Sequence, residues 1–424
     1  MTGTYVRPGD INVTTFQLTS ARGWTLDYMT SANSMFGDWN VYESVFQPYT
    51  TVDVNVIDVL DDMGTLMITG DEMLNISYTV PGITDPATWT FHLTEIADIT
   101  HHGAMKSKSY QLRGTSPEMV NAQHLYVSKN WEANLTSEMV QWVVQNCFQS
   151  SKSWENPTPT TVPKKINGNF THPMQFLDDL KERHVGPPGS SSAYTLFEQR
   201  TSTGGAFVFD TFDHLMSQGN SLGYTYTQDA GILGRDITAR DDYRKILFLK
   251  VPRSFFVTSQ WSAVSTRFTY NFATGKQLTT IVPYDPGKWT LSTAADEPVS
   301  SAEISDINAT QSPPPRSTPI DPSNDVQATG EADAKIARDQ FMSRLNNDIG
   351  MMEVYANPDL RVGNVITLNV PLKAAWAADG DTEKQINQDV LVVSIRHKAR
   401  APTMYPMCTY IVAFVKAGYN SSAG

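Results

Sequence analysis

Gly219-Asn220-Ser221-Leu222-Gly223 fits the G-x-S-x-G spacing of a serine nucleophile elbow. That chemistry needs a strand, a sharp turn that lifts the serine hydroxyl, and then a helix. Here the order is reversed: Phe212 to Met216 reads as helix and Tyr224 to Tyr226 as strand. The one histidine beyond Ser221 is His397, inside a strand pattern. The segment predicts a plain turn. His101-His102-Gly103 offers two imidazoles, but neighbours on a strand point to opposite faces. No third ligand falls at a zinc spacing, so the pair reads as a polar turn before Tyr110. Asp210, Asp213 and His214 lie close enough in sequence to share a cation; Asp210 ends an aromatic run, where capping a helix is the commoner duty. Asp61, Asp62, Asp71 and Glu72 flank a hairpin without EF-hand spacing and predict solvated turn residues. The sequence holds no phosphate loop, no G-x-G-x-x-G, no H-E-x-x-H and no carboxylate pair at a glycosidase-like site. It predicts no catalytic, cofactor-binding or metal-binding residue.

The cysteines, Cys147 and Cys408, give neither a disulfide framework nor a zinc spacing. In a chain of 424 residues, 40% are hydrophobic, 10% aromatic and 18% charged. Such a chain builds real cores and is not disordered. No apolar run reaches the roughly 18 residues of a membrane helix. The opening residues carry no apolar segment, so no signal peptide is expected, and the Asn-x-Ser/Thr sites follow from a composition rich in those residues. Synthesis in the cytosol is the expectation. There are 32 basic and 44 acidic residues, a net charge of −12. No run of Lys and Arg offers a general nucleic-acid surface, whereas an acidic chain can form a passage that repels DNA.

The elements that must carry these residues are mostly strands. Val52, Val54 and Val56 alternate with Asp53 and Asn55; Leu74, Ile76 and Tyr78 follow the same period, as do Trp89, Phe91 and Leu93. Asp61-Asp62-Met63-Gly64 reads as a turn. One-sided strands at this spacing suggest an antiparallel barrel or sandwich. Helices come next. Met139, Val140, Val143, Val144 and Cys147 share one face, with Thr136 or Ser137 as N-cap. Pro173 opens a second helix, with Phe176, Leu177 and Leu180 inward. Residues 155–165 read as a loop. Tyr194 to Phe197 and Phe207 to Phe209 form a hairpin around Thr203-Gly204-Gly205. Residues 224–300 are strand-rich, and 311–325 form a Pro-rich extended loop. A helix follows with Ala334, Ala337, Phe341 and Leu345 spaced along one face. Ile366, Leu368 and Val370, then Leu391, Val393 and Ile395, then Tyr410, Val412 and Phe414, return to period two.

The order of these pieces resembles the baseplate hub family of contractile phage tails. That family includes the late-control D proteins and the N-terminal part of type VI secretion spikes. Residues 41–58 (V-Y-E-S-V-F-Q-P-Y-T-T-V-D-V-N-V-I-D) and 70–78 (G-D-E-M-L-N-I-S-Y) resemble its opening barrel strands. Residues 126–143 resemble the approach to its first inserted helix, and 174–209 its helix followed by two aromatic strands. Residues 357–371 and 391–398 (L-V-V-S-I-R-H-K) resemble its closing strands, with His397 where the family often has a histidine.

The resemblance covers roughly residues 40–415, with a poor match over 240–300 and 311–325. It implies an α+β, mainly β fold: two tail-tube-type antiparallel β-barrels with inserted mixed α/β domains. The expected segments are a first barrel at 1–115, a helix-containing insertion at 116–195 and a strand-rich part at 196–310. The Pro-rich loop at 311–330 and the closing part of the second barrel at 331–424 complete it. The implied role is structural: a homotrimer of the virion tail baseplate, assembled in the host cytoplasm, that joins a hexameric tail tube to a trimeric central spike. Tape measure and baseplate wedge proteins are further implied partners, and DNA passes through the channel without specific binding or any membrane contact. Asp53, Asn55, Thr90 and Thr94 are expected to face the lumen or a neighbour. A receptor- or glycan-binding tail protein, suggested by 17 Tyr and 9 Trp in a β-rich chain, is the alternative. A hub carrying a cell-wall hydrolase is another.

Overall fold

The computed structural model describes residues 9–30, 34–59, 61–83, 85–103, 107–187, 190, 192–201, 204–220, 225–227, 244–251, 264–271, 276–285, 290–291, 334, 338, 342, 345, 349–372, 384–400 and 407–416. The first strands are β1 (Asn12–Ser20), β2 (Thr25–Asp27), β3 (Ser34–Ser44), β4 (Thr51–Asp58), β5 (Glu72–Thr79), β6 (Ala87–His102) and β7 (Ser107–Thr115), with α1 (Asp62–Leu66) between β4 and β5. The alternation expected of them is what buries them. Val52, Val54, Val56, Leu74, Ile76, Tyr78, Trp89, Phe91 and Leu93 all point into one core.

The middle of the chain holds α2 (Pro117–Gln123), β8 (Asn130–Leu135), α3 (Thr136–Asn146), β9 (Ser153–Glu155), β10 (Pro163–Asn167), α4 (Pro173–Lys181), β11 (Tyr194–Gln199), β12 (Ala206–Thr211) and α5 (Phe212–Ser217). The remaining strands are β13 (Thr225–Thr227), β14 (Ile246–Lys250), β15 (Val264–Asn271), β16 (Lys276–Asp285), β17 (Thr290–Leu291), β18 (Gly350–Tyr355), β19 (Val365–Leu372), β20 (Lys384–Arg400) and β21 (Met407–Lys416). The fold is mainly β, as expected, and its large curled sheet is antiparallel apart from the short β13–β19 pairing. Residues 311–325, Ala337 and Phe341 lie outside the described residues; Ala334 and Leu345 are helical and buried.

Several local expectations change. Residues 61–64 are not a turn: Asp62–Leu66 is a helix, capped by Asp61, which accepts from Gly64 N–H. The N-cap position of α3 is Leu135 rather than Thr136 or Ser137. Its N–H is taken instead by the Glu138 carboxylate, one turn in, at 3.2 Å. Part of the 155–165 loop is ordered as strand, with Pro163 as first residue of β10, where its missing N–H costs no ladder bond.

β11 and β12 form the wall between two cores. Tyr194, Leu196, Phe207 and Phe209 pack among the faces of α3 and α4. Phe197 and Val208 point the other way, into the core of the large sheet. A ribbon buried on both faces explains the continuous apolar runs in this hairpin. Gly363 turns the chain toward β19 with φ 84, and a Cβ there would meet the Phe197 ring at 2.9 Å.

The large sheet runs β14-β18-β21-β20-β3-β4-β7-β6-β5-β1-β2. It contains an internal repeat. β3, β4, β5, β6 and β7 correspond in chain order to β14, β18, β19, β20 and β21. β5 covers the first half of β6 (Ala87–His92), as β19 covers the first half of β20 (Lys384–Leu391). β7 and β21 pair with the second halves. β3 lies on β4 as β14 lies on β18. Two register breaks also correspond. One falls between Leu93 and Glu95 on β6 and between Val392 and Ser394 on β20, while a further break on β6, between Ala97 and Thr100, has no counterpart on β20. The other falls between Phe36 and Trp39 on β3 and between Ile246 and Phe248 on β14. Two blocks of the same design are thus hydrogen-bonded into one sheet, where β3 pairs with the second half of β20 over Trp39–Ser44.

Candidate functional site

The residues that first suggested chemistry stay apart. Ser221 lies outside the described residues. Before it, α5 ends at Ser217, Gly219 has φ 63 and Asn220 donates to Thr367 Oγ1 at 2.9 Å. β13 follows, so the order is helix then strand. His101 and His102 sit at the exposed end of β6, and His102 Nε2 lies 3.0 Å from Ser109 Oγ. Among the described residues, no group of three His, Cys, Asp or Glu could hold a metal ion.

Asp210 is fully buried, but Thr211 rather than Asp210 caps α5. Asp210 instead accepts from Thr211 N–H at 2.8 Å and faces His214 Nδ1 at 2.6 Å. Glu72 is not solvated: it is 1% exposed, and its carboxylate accepts from the N–H groups of Thr69, Gly70 and Asp71. Cys147 and Cys408 are both free and buried.

A polar network absent from those expectations lies where the two blocks meet. Glu43 of β3 is its centre. Trp89 Nε1 donates to Glu43 Oε1 at 2.8 Å. Arg200, just past β11, places Nε 3.5 Å from the same oxygen, with its guanidinium 5.2 Å from the Trp89 ring centre. Arg200 also donates to Leu360 O at 3.3 Å. His397 Nε2 stands 3.3 Å from Glu43 Oε2, at ion-pair distance but off the line of a hydrogen bond. On the other side of the ring, Nδ1 lies 3.3 Å from Tyr78 Oη, which lies 2.7 Å from Tyr410 Oη.

Burial pushes the Glu43 carboxyl up, but His397, Arg200 and Trp89 outweigh it and hold it at about 2. Burial pushes His397 down, more than Glu43 raises it. The network is buried, with His397 at 0% exposure. Its members Glu43, Trp89 and Arg200 also line a cleft, together with Thr50, Glu118, Lys152 and Glu198. In the cleft Lys152 Nζ bridges Glu118 at 2.9 Å and Glu198 at 2.5 Å.

The second feature is a pair of open edges. The second half of β20 has β21 on one side and β3 on the other. The second half of β6, Thr94–His102, has only β7 among the described residues. β14, the counterpart of β3, has only β18 among them.

No family model and no curated protein matches this sequence. The fold, however, is found among solved structures. The 43 kDa tail protein of prophage MuSo2 from Shewanella oneidensis superposes with a TM-score of 0.53 at 11% identity, over 96% of this chain and 99% of that one. A tail protein from Neisseria meningitidis MC58 gives 0.52 at 10% identity, over 96% of this chain and 97% of that one. A chain of the half-lidded Francisella PdpA-VgrG complex gives 0.50 at 8% identity, over all of this chain and 61% of that one. The fold is therefore the one shared by these tail proteins and this chain of the PdpA-VgrG complex.

Proposed function

We propose that this protein is a baseplate hub of a contractile tail, a structural component of the virion. Three copies form a ring between a six-fold tail tube and a three-fold central spike. The observation that carries this reading is the internal repeat with its open edges. If β14 of one copy pairs with the second half of β6 on the next, the contact repeats the β3–β20 pairing already made within the chain. Transferring that register sets Lys250 opposite Thr100 and Leu249 opposite His101. The contact is heterologous and closes on itself after three copies. Six similar blocks then surround the axis, which suits a six-fold tube above and a three-fold spike below.

The outer face of the eight strands from β14 to β6 would line the channel through which DNA passes, with Asp53 and Asn55 on it. Thr90 and Thr94 of β6 are exposed and alternate with inward Trp89, Phe91 and Leu93, and they remain proposed lumen or neighbour contacts. The unit inserted in the first half of the chain is proposed to run through β12, because β11 and β12 fill both cores. The tail tube, the spike, the tape measure and the wedge proteins are its proposed partners. Light scattering of the purified full chain, with negative-stain imaging, tests the reading. A ring of three is expected; a monomer at high concentration without rings would contradict it.

A further inference from the structure

The strands gather a basic surface that the chain's overall charge conceals. Arg396, Lys398 and Arg400 fall two residues apart on β20, so their side chains share its outer face. Alternation along β20 puts His397 on the inner face, and its burial confirms the parity. Lys250 of β14 stands on the same outer face, in register with exposed Met351. Across β14, β18, β20 and β21 the described outer-face charges are these four cations and two carboxylates: Glu353, which accepts from Thr409 Oγ1 at 2.9 Å, and Asp389 at the far end of β20, which accepts from Thr367 Oγ1 at 2.6 Å. On the other side of β20, exposed Asp38 of β3 falls opposite Arg400 when the Ala399–Trp39 register is carried one residue further, and Asp53 lies two strands away, 4.0 Å from Arg113. Among the described residues, no carboxylate is ion-paired with Lys250, Arg396, Lys398 or Arg400. Arg396 is held by Asn40 Oδ1 at 3.1 Å and lies over the Tyr42 ring at 5.5 Å.

We infer that this strip is a contact surface for the phosphate backbone of duplex DNA. Two features favour that occupant over an acidic polypeptide. Arg396, Lys398 and Arg400 stand about 6.7 Å apart along β20 and Lys250 lies three strands, about 14 Å, to the side, too sparse to hold a weakly charged partner. Duplex DNA carries one charge per about 1.7 Å and gains affinity by releasing condensed counterions, so a few cations suffice. The strip also offers no pocket or hydrogen-bonding cluster for base edges, which fits backbone contact without sequence preference. It is a property of one chain and does not depend on ring assembly. In a ring it would place three attractive strips in a channel that net charge alone predicts to repel DNA.

The test is fluorescence anisotropy of the full chain with a labelled duplex of about 30 bp, in a salt series starting near 20 mM. Binding is expected at the lowest salt, with log K falling against log salt at a slope of about −3 to −4 for four phosphate contacts. Changing Arg396→Gln, Lys398→Gln and Arg400→Gln together should weaken it at least about tenfold, to a slope near −1. Lys164→Gln, Lys165→Gln and Lys181→Gln together remove the same charge elsewhere and should leave binding unchanged. Circular dichroism of both variants confirms that each is folded. Absence of binding at the lowest salt, unchanged binding by the strip variant, or tighter binding of labelled polyglutamate than of duplex would each overturn the inference. Light scattering reads the ring separately, so either result can fail alone.

Discussion

Tyr78 Oη on β5 and Tyr410 Oη on β21 lie 2.7 Å apart in the interior, although 332 positions separate them in sequence. The pair joins the first block to the second through side chains, as β3 and β20 join them through backbone. Tyr78→Phe strands the partner hydroxyl and one imidazole nitrogen of His397 in a dry core. It should cost about 1–3 kcal/mol, and Tyr410→Phe a similar amount. The double variant should cost less than the sum, because both changes empty the same bond. Urea unfolding of the four chains checks this.

Arg200 ties three elements to one point: Glu43 on β3, the Trp89 ring on β6 and Leu360 O before β19. Arg200→Met leaves the Glu43 charge buried without its cation and should destabilise by about 3–5 kcal/mol. Pairing it with Glu43→Gln should recover part of that loss. A double variant no more stable than Arg200→Met alone would show that the charge pair is not the reason.

Acid should loosen the protein well before its carboxylates titrate. Burial, with Arg338 and Lys181 nearby, holds His184 at about 3, and burial lowers His397 as well. His184 is neutral in the fold, while the unfolded chain takes up a proton there near pH 6.5. Its contribution to stability is therefore full above about pH 6.5 and falls with pH, by up to about 1.4 kcal/mol per unit. Glu43, held at about 2, adds a second loss below about pH 4.3. Urea midpoints between pH 7.5 and 5 should drop, and His184→Gln should flatten the slope.

Cys147 and Cys408 should resist thiol reagents in the native state. Both are buried, and burial pushes the Cys408 thiol up to about 12 and the Cys147 thiol up from its usual value. The thiolate is the reactive form. Label should enter only as the chain unfolds; rapid native labelling of either would show local opening of its core.

Strand positions were legible because each strand buries one face, which writes a period of two into Val52–Val56 or Tyr410–Phe414. Glu72 was not: a carboxylate buried to collect three N–H groups leaves no hydrophobic trace. Cap positions were misplaced for a similar reason, since the Glu138 and Thr211 side chains are set by the backbone N–H groups they accept from. The internal repeat lay hidden because register breaks and half-covered strands are backbone features, carried by unlike residues such as Thr94 and Val393. Glu43 and Arg200 come together only once β3 and the end of β11 are packed. The basic strip was visible in principle as Arg-x-Lys-x-Arg at 396–400, a period-two pattern in a strand where His397 drew the attention.

The ring is tested most directly by a disulfide across its proposed seam. Thr100→Cys and Lys250→Cys in one chain stand on strands with six others between them in the sheet order, but would face each other between copies. Directly opposed strand residues lie about 4.5–5.5 Å apart at Cα, within disulfide range. Under mild oxidation the full chain should run as a covalent trimer on non-reducing gels, collapsing to monomer with reductant. Oxidised monomer alone, or a ladder that climbs past three, would contradict a closed ring of three copies.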